Sequence, residues 1–117
     1  MKTPNRHKDE KFASLISQFA AEYISLESGK DSLITVTKAE VYNKGRYATI
    51  FFTALPQEKE KAALEFLKRK RNDFRKFVMG KKSFGFTPKI DFEVDYGEHN
   101  RQRIDELLNI ESLKNNS

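Results

Sequence analysis

The chain has 117 residues and a mass of 13.6 kDa, room for one domain with a real core and too little for two ordinary ones. Cysteine is absent, which excludes disulfides, thiolate-held zinc, iron–sulfur clusters and thiol nucleophiles, and no apolar run approaches the roughly 20 residues of a membrane span. With 22 basic and 17 acidic residues the formal charge is +5 and the pI about 9.4, a balance that admits nucleic acid as a partner.

Residues 1–7 read as a basic arm and are expected to be mobile, as is a tail over 111–117. Phe12, Leu15, Ile16, Phe19, Ala20, Tyr23 and Ile24 then recur at the spacing of one helical face, predicting a helix over Lys8–Leu26. The turn composition of Glu27 to Ser32 ends it. Leu33–Val41 and Tyr47–Ala54 are rich in β-branched and aromatic residues and flank Asn43-Lys44-Gly45, which predicts an antiparallel hairpin.

Pro56 suits the first turn of a helix, and Ala63, Phe66, Leu67, Phe74, Phe77 and Val78 continue a helical period. Between Leu67 and Phe74 the inward positions fall on Lys70 and Arg71, so a straight helix would break its apolar stripe there. Two helices follow, Gln57–Arg71 and Asp73–Lys82, with Asn72 placed at the kink because Asn tolerates caps and left-handed angles. Ile90, Phe92, Val94 and Tyr96 alternate with Asp91, Glu93 and Asp95, a strand with its acids on the solvent face. A short helix over Asn100–Asn109 completes the order. The expected fold is α+β: a two-layer sandwich, α-β-β-α-kink-α-β, with a three-stranded sheet in a single domain over 1–117.

Charge is unevenly spread. Lys68, Arg69, Lys70, Arg71, Arg75, Lys76, Lys81 and Lys82 face a single acid, Asp73, within fifteen residues, and the C-terminal third is net acidic. A solvated helix face normally mixes signs for pairing between turns, and this one scarcely does. Lys and Arg on a firm helix pair are what a phosphate backbone needs. These eight residues are the candidate RNA contacts, supported by Arg6 and Lys8 of the arm and by Lys38, Lys44 and Arg46 of the hairpin. Catalysis has no candidates. His7 and His99 are the only histidines and read as surface residues, and no nucleophile–base pair or metal set can be placed. No catalytic residue, metal or cofactor is expected. The helix pair suits a KH-like grip, but the GxxG clamp of KH domains is missing, Gly80 and Gly85 being five apart.

Four segments carry a resemblance: Val36-Thr37-Lys38-Ala39-Glu40-Val41, Arg46-Tyr47-Ala48-Thr49-Ile50-Phe51-Phe52-Thr53, Phe74-Arg75-Lys76-Phe77-Val78 and Thr87-Pro88-Lys89-Ile90-Asp91-Phe92. In order and spacing the chain resembles the ribosome-binding factor A family, whose matching stretches read VTxVEVS, L-x-YAxVYV, GFIRxxL and PELxF. The resemblance spans Arg6 to Leu108. It implies a KH type II-like fold in which an interrupted helix with an Ala-x-Gly kink replaces GxxG; here that kink falls on Lys70-Arg71-Asn72. Lys44 stands where the family has an acid, and Gly85 where an Arg often precedes PELxF, which marks a divergent member. The resemblance implies a non-catalytic assembly factor of the small (30S) ribosomal subunit. It also implies binding to precursor 16S rRNA near the decoding-centre helix and neck, assistance to late maturation and 5′-end processing, and growth in the cold. Implied partners are the small subunit and its 16S rRNA, with ribosomal proteins or an assembly GTPase as further candidates. A monomeric, cytoplasmic protein without a membrane partner is expected. Two other readings stay open: a module docking ribosomal proteins through Asp91, Glu93 and Asp95, and a factor bound to assembled ribosomes.

Overall fold

The computed structural model describes residues 7–29, 32–81, 86–98 and 108. Helix α1 (His7–Glu27) leads into β1 (Leu33–Tyr42) and β2 (Tyr47–Leu55). A cis Leu55–Pro56 bond and a 3-10 turn over Gln57–Lys59 precede α2 (Glu60–Arg69), α3 (Arg71–Gly80) and β3 (Lys89–Val94). The sheet order is β1-β2-β3, with β1 antiparallel and β3 parallel to the central β2. This is the α+β architecture expected from the sequence, with a mixed sheet. The last residue assigned to the arm, His7, is already helical; residues 1–6, the tail and most of the expected final helix lie outside the described residues. No helix among the described residues is long and apolar enough to cross a membrane.

The core follows directly from two periodicities. Along α1, Ile16, Ala20, Tyr23 and Ile24 are buried at helical spacing. Along β2, Ala48, Ile50, Phe52 and Ala54 alternate toward the helices. Ala63 and Leu67 of α2, Phe74 and Val78 of α3, and Ile90, Phe92 and Val94 of β3 close the same cluster. Phe74 is its hub. It is fully buried, and its ring centroid lies 5.3 Å from Tyr23, 6.3 Å from Phe77 and 5.9 Å from Phe92, so one side chain ties α1, α3 and β3 together. The Tyr23 hydroxyl donates to the Asp73 carboxylate in the first turn of α3. Burial, that hydrogen bond and the nearby charges of Asp73 and Glu27 all raise the phenol far above its ordinary value, so it stays a neutral donor.

Two sequence expectations change, and one feature is new. The helix break falls on Lys70 (φ −95°, ψ 4°), whose N–H is shared between the Leu67 and Phe66 carbonyls at 3.0 and 3.2 Å. Asn72 is instead inside α3, exposed and right-handed. The break needs no left-handed residue, because its φ is negative and open to any L-residue. Next, β1 carries a bulge between Val36 and Lys38, and Thr37 turns its hydroxyl onto the Asp95 carboxylate. Finally, β3 stops at Val94. Tyr96 is 66% exposed and opens a helical turn, while Asp95, expected on the solvent face, is buried and accepts the Glu98 N–H at 2.9 Å as that turn's N-cap.

Truncation of the hub should be costly, and the exposed Asn should not act as a hinge. Urea unfolding of Phe74→Ala is expected to show a loss of about 3–5 kcal/mol. Asn72→Gly should cost a few tenths of a kcal/mol, as glycine does inside a helix; a gain in stability would return the kink to Asn72.

Candidate nucleic-acid interface

The basic residues of α2 and α3 fall into two classes once the chain is folded. One class is already engaged. Lys68 Nζ and Arg71 Nη1 both reach Asp91 Oδ1, at 2.9 and 3.3 Å, and Arg71 Nε donates to the Lys68 carbonyl at 3.0 Å. Arg75 donates through Nε to the Pro88 carbonyl at 3.1 Å and through Nη2 to the Thr87 carbonyl at 3.0 Å. Lys81 pairs with Glu22 of α1 at 2.9 Å and lies 4.7 Å above the Phe77 ring.

The other class faces outward. Arg69, at the end of α2, and Asn72 and Lys76, one turn apart on α3, are all exposed. Arg69 and Lys76 have no ion pair among the described residues. Lys70, at the break, is half-buried with its ammonium 5.9 Å from the Phe66 ring. Lys82 and Arg6 lie outside the described residues; Lys8 is in the first turn of α1.

The hairpin cations sit in two places. Lys38 is on the sheet face away from the helices, 3.8 Å from Glu40 and 4.9 Å from the Phe51 ring centroid. Lys44 and Arg46 project from the turn, where Asn43, Lys44 and Gly45 are left-handed (φ 54°, 57° and 81°) and the Arg46 N–H bonds the Asn43 carbonyl at 3.1 Å. Glycine suits the last of these angles, while Asn and Lys hold the first two at some backbone cost. The Arg46 carbonyl accepts the Lys89 N–H at 2.9 Å, so the turn is bonded to the start of β3. Lys89 is exposed there, a cation that sequence reasoning misses because the acids dominate the pattern of that strand. The period that buries Ile90 and Phe92 could have placed it outward beside them. Arg75 links the two regions: it rises from α3 and lines a cleft of about 320 Å³ with Arg46, Tyr47, Phe86, Thr87 and Lys89.

The acidic strand residues do not form a row. Asp91 is tied to α2 and α3, Asp95 is buried, and Glu93 alone of the three is exposed. At Asp91, burial works to raise the carboxyl, but hydrogen bonds from Lys68, the Phe92 N–H and Arg71, with the Lys68 charge, outweigh it and hold the group below its ordinary value. At Asp95 burial is likewise outweighed, by the Thr37 hydroxyl, the Glu98 and Gly97 N–H groups and the Lys38 charge. Among the described residues no three His, Asp or Glu side chains converge as a metal site.

Both depressed carboxyls contribute stability that is complete above their unfolded values and is lost as pH falls through the folded ones. Thermal unfolding should therefore show stability dropping below about pH 4. Asp91→Asn with Asp95→Asn should be less stable at neutral pH and show a flatter acid limb; an unchanged acid limb would refute this assignment.

Comparison with known proteins gives a consistent result. The family model described as ribosome-binding factor A matches residues 8–108. The ribosome-binding factor A of Rickettsia typhi is 30% identical over 118 residues, covering 94% of this chain and 91% of the relative. That of Halothermothrix orenii is 31% identical over 107 residues, covering 88% and 87%. The crystal structure of ribosome-binding factor A from Thermus thermophilus superposes with a TM-score of 0.66, covering 74% of this chain and 94% of that one; at 17% identity this is a likeness of fold. The chain belongs to the ribosome-binding factor A family, whose members are non-catalytic ribosome maturation factors.

Proposed function

We propose that this protein assists maturation of the small ribosomal subunit by gripping precursor 16S rRNA through the outward face of α2 and α3 and the hairpin turn. The observation that supports the reading is the exposure of Arg69 and Lys76 without an ion pair among the described residues, beside a separate group of cations in which Arg75 and Arg46 share a cleft and Lys44 is exposed on the turn. Exposed cations fixed on helices can meet phosphates without first breaking internal bonds, and neutralising phosphates releases condensed counterions. Arg71 and Arg75, in the basic segment read from sequence, take a supporting part. Their guanidinium groups hold Asp91 and the 87–88 backbone. Assistance to late maturation and 5′-end processing is part of the same proposal, supported by the family resemblance. The alternative in which Asp91, Glu93 and Asp95 dock a basic protein has less support, since Asp91 is already paired with Lys68 and Arg71 and Asp95 is buried against Thr37.

Sedimentation of the protein through a gradient with a cell extract that holds free subunits and whole ribosomes tests the reading. Co-migration with free small subunits at low salt, and its loss at high salt, are expected. About five phosphate contacts on single-stranded RNA would give a slope near −3.5 in log affinity against log salt. Arg69→Glu with Lys76→Glu should remove the small-subunit peak while leaving the urea midpoint unchanged. Normal co-migration of that variant would move the grip off the helices, and migration with whole ribosomes would favour the factor that binds assembled ribosomes.

A further inference from the structure

The hairpin end of the sheet combines flat aromatic surface with positive charge, and the phosphate grip does not account for the rings. Tyr42, Tyr47 and Lys89 are neighbours in register across β1, β2 and β3. The Tyr42 and Tyr47 rings stack at 5.7 Å with 14° between their planes, so Tyr47 is braced from one side. Tyr47 is nevertheless 37% exposed, and Phe86, which also lines the cleft, is 54% exposed. A large ring left in water forgoes its burial, which is unusual at the end of a strand whose other apolar residues are mostly buried.

The cleft, of about 320 Å³, is far larger than one water needs. Among the described residues its lining has three cations, Arg46, Arg75 and Lys89, and no carboxylate. Lys44 stands beside it on the turn, where Asn43, Lys44, Arg46 and Tyr47 bound an adjoining hollow. Planar rings beside cations are the pattern that receives unpaired bases: rings stack on base faces, and the cations hold the phosphates on either side. A duplex keeps its bases stacked inside and offers such rings nothing to stack on.

We propose that this cleft is a base-stacking site for single-stranded RNA, with Tyr47 and Phe86 as the platforms and Lys44, Arg46 and Lys89 as flanking phosphate contacts. It rests on the reading of the protein as an RNA binder and adds the class of RNA, an unpaired segment, and the place where it sits. Arg75 acts as a positioning residue: its two bonds to the Thr87 and Pro88 carbonyls fix the chain next to Phe86.

Fluorescence anisotropy with a labelled ten-nucleotide oligouridine and a blunt RNA duplex of the same length provides the test. Tyr47→Leu and Phe86→Leu are each expected to weaken oligouridine binding by roughly five- to a hundredfold, as loss of one base stack does. Both should leave duplex binding unchanged, and Tyr47→Phe should bind like the parent protein. The chain has no Trp, so tyrosine dominates its emission, and quenching on adding oligouridine should shrink in Tyr47→Leu. Urea midpoints within experimental error of the parent separate these effects from unfolding, and Lys89→Glu, an exposed change of charge, gives a second handle. Parent-like oligouridine binding by both leucine variants overturns the proposal, as does an equal loss on the duplex. An acidic protein surface as occupant would need the cations and tolerate leucine, which also overturns it. Failure of oligouridine to bind the parent protein overturns the stacking site alone; the small-subunit reading stands or falls separately, on Arg69→Glu with Lys76→Glu in sedimentation.

Discussion

Phe74 is the constraint on which the rest of the molecule depends. Three elements meet on one fully buried ring: α1 through Tyr23, α3 itself with Phe77, and β3 through Phe92. The helix break follows from that requirement. A straight continuation of α2 would carry Lys70 and Arg71 toward the core, where an unpaired charge is costly. A single residue in the bridge region at Lys70 ends one helix and starts the next, so α3 enters with Phe74 and Val78 inward and its cations outward. The same geometry places Asp73 where the Tyr23 hydroxyl can reach it, which locks α3 to α1. The outward positions of Arg69 and Lys76 are thus a consequence of core packing, and the proposed grip uses what packing leaves exposed.

Much of this is legible in sequence because it rests on period. Helix α1 repeats its apolar residues over several turns, β2 and β3 alternate, and the charged gap after Leu67 announces an interruption. What escapes is non-local. The bulge at Thr37 has no signature of its own; it is fixed by the Asp95 carboxylate 58 positions away. Asp95 reads as another member of an alternating acidic row, yet a strand pattern cannot say where pairing stops. Because β3 ends at Val94, the same residue becomes a buried N-cap and Tyr96 moves out of the core. Residue type points to a left-handed kink at Asn72, whereas the backbone solves the problem with a negative φ at Lys70.

The candidate site shows the same division more sharply. Composition locates the basic segment but cannot separate occupied cations from available ones, because their partners lie on other elements: Asp91 on β3, Glu22 on α1, and the carbonyls of Thr87 and Pro88. Lys89, Tyr47 and Phe86 do not read as a group for a related reason. They come from two strands and a loop, and only sheet register and the Arg46–Lys89 backbone bond bring them to one cleft.

The chemical nature of each partner then decides how much positive field survives. Lys68 and Arg71 share one carboxylate, so that trio retains a single net positive charge, and its cations are held over β3. Lys81 is cancelled by Glu22. Arg75 differs: its acceptors are neutral carbonyls, which orient the guanidinium and satisfy its donors without removing its charge. Its field therefore adds to those of Arg46 and Lys89 across the cleft, in a site whose lining has no acid among the described residues. An arginine held this way both fixes the backbone beside Phe86 and keeps the cleft attractive to phosphate. Charge fixed in advance need not be ordered again on binding, so the entropy of positioning it falls on folding and not on association. Local structure at the hairpin end and long-range attraction of a polyanion are thus served by one side chain, placed there by the turn of α3 that Phe74 anchors.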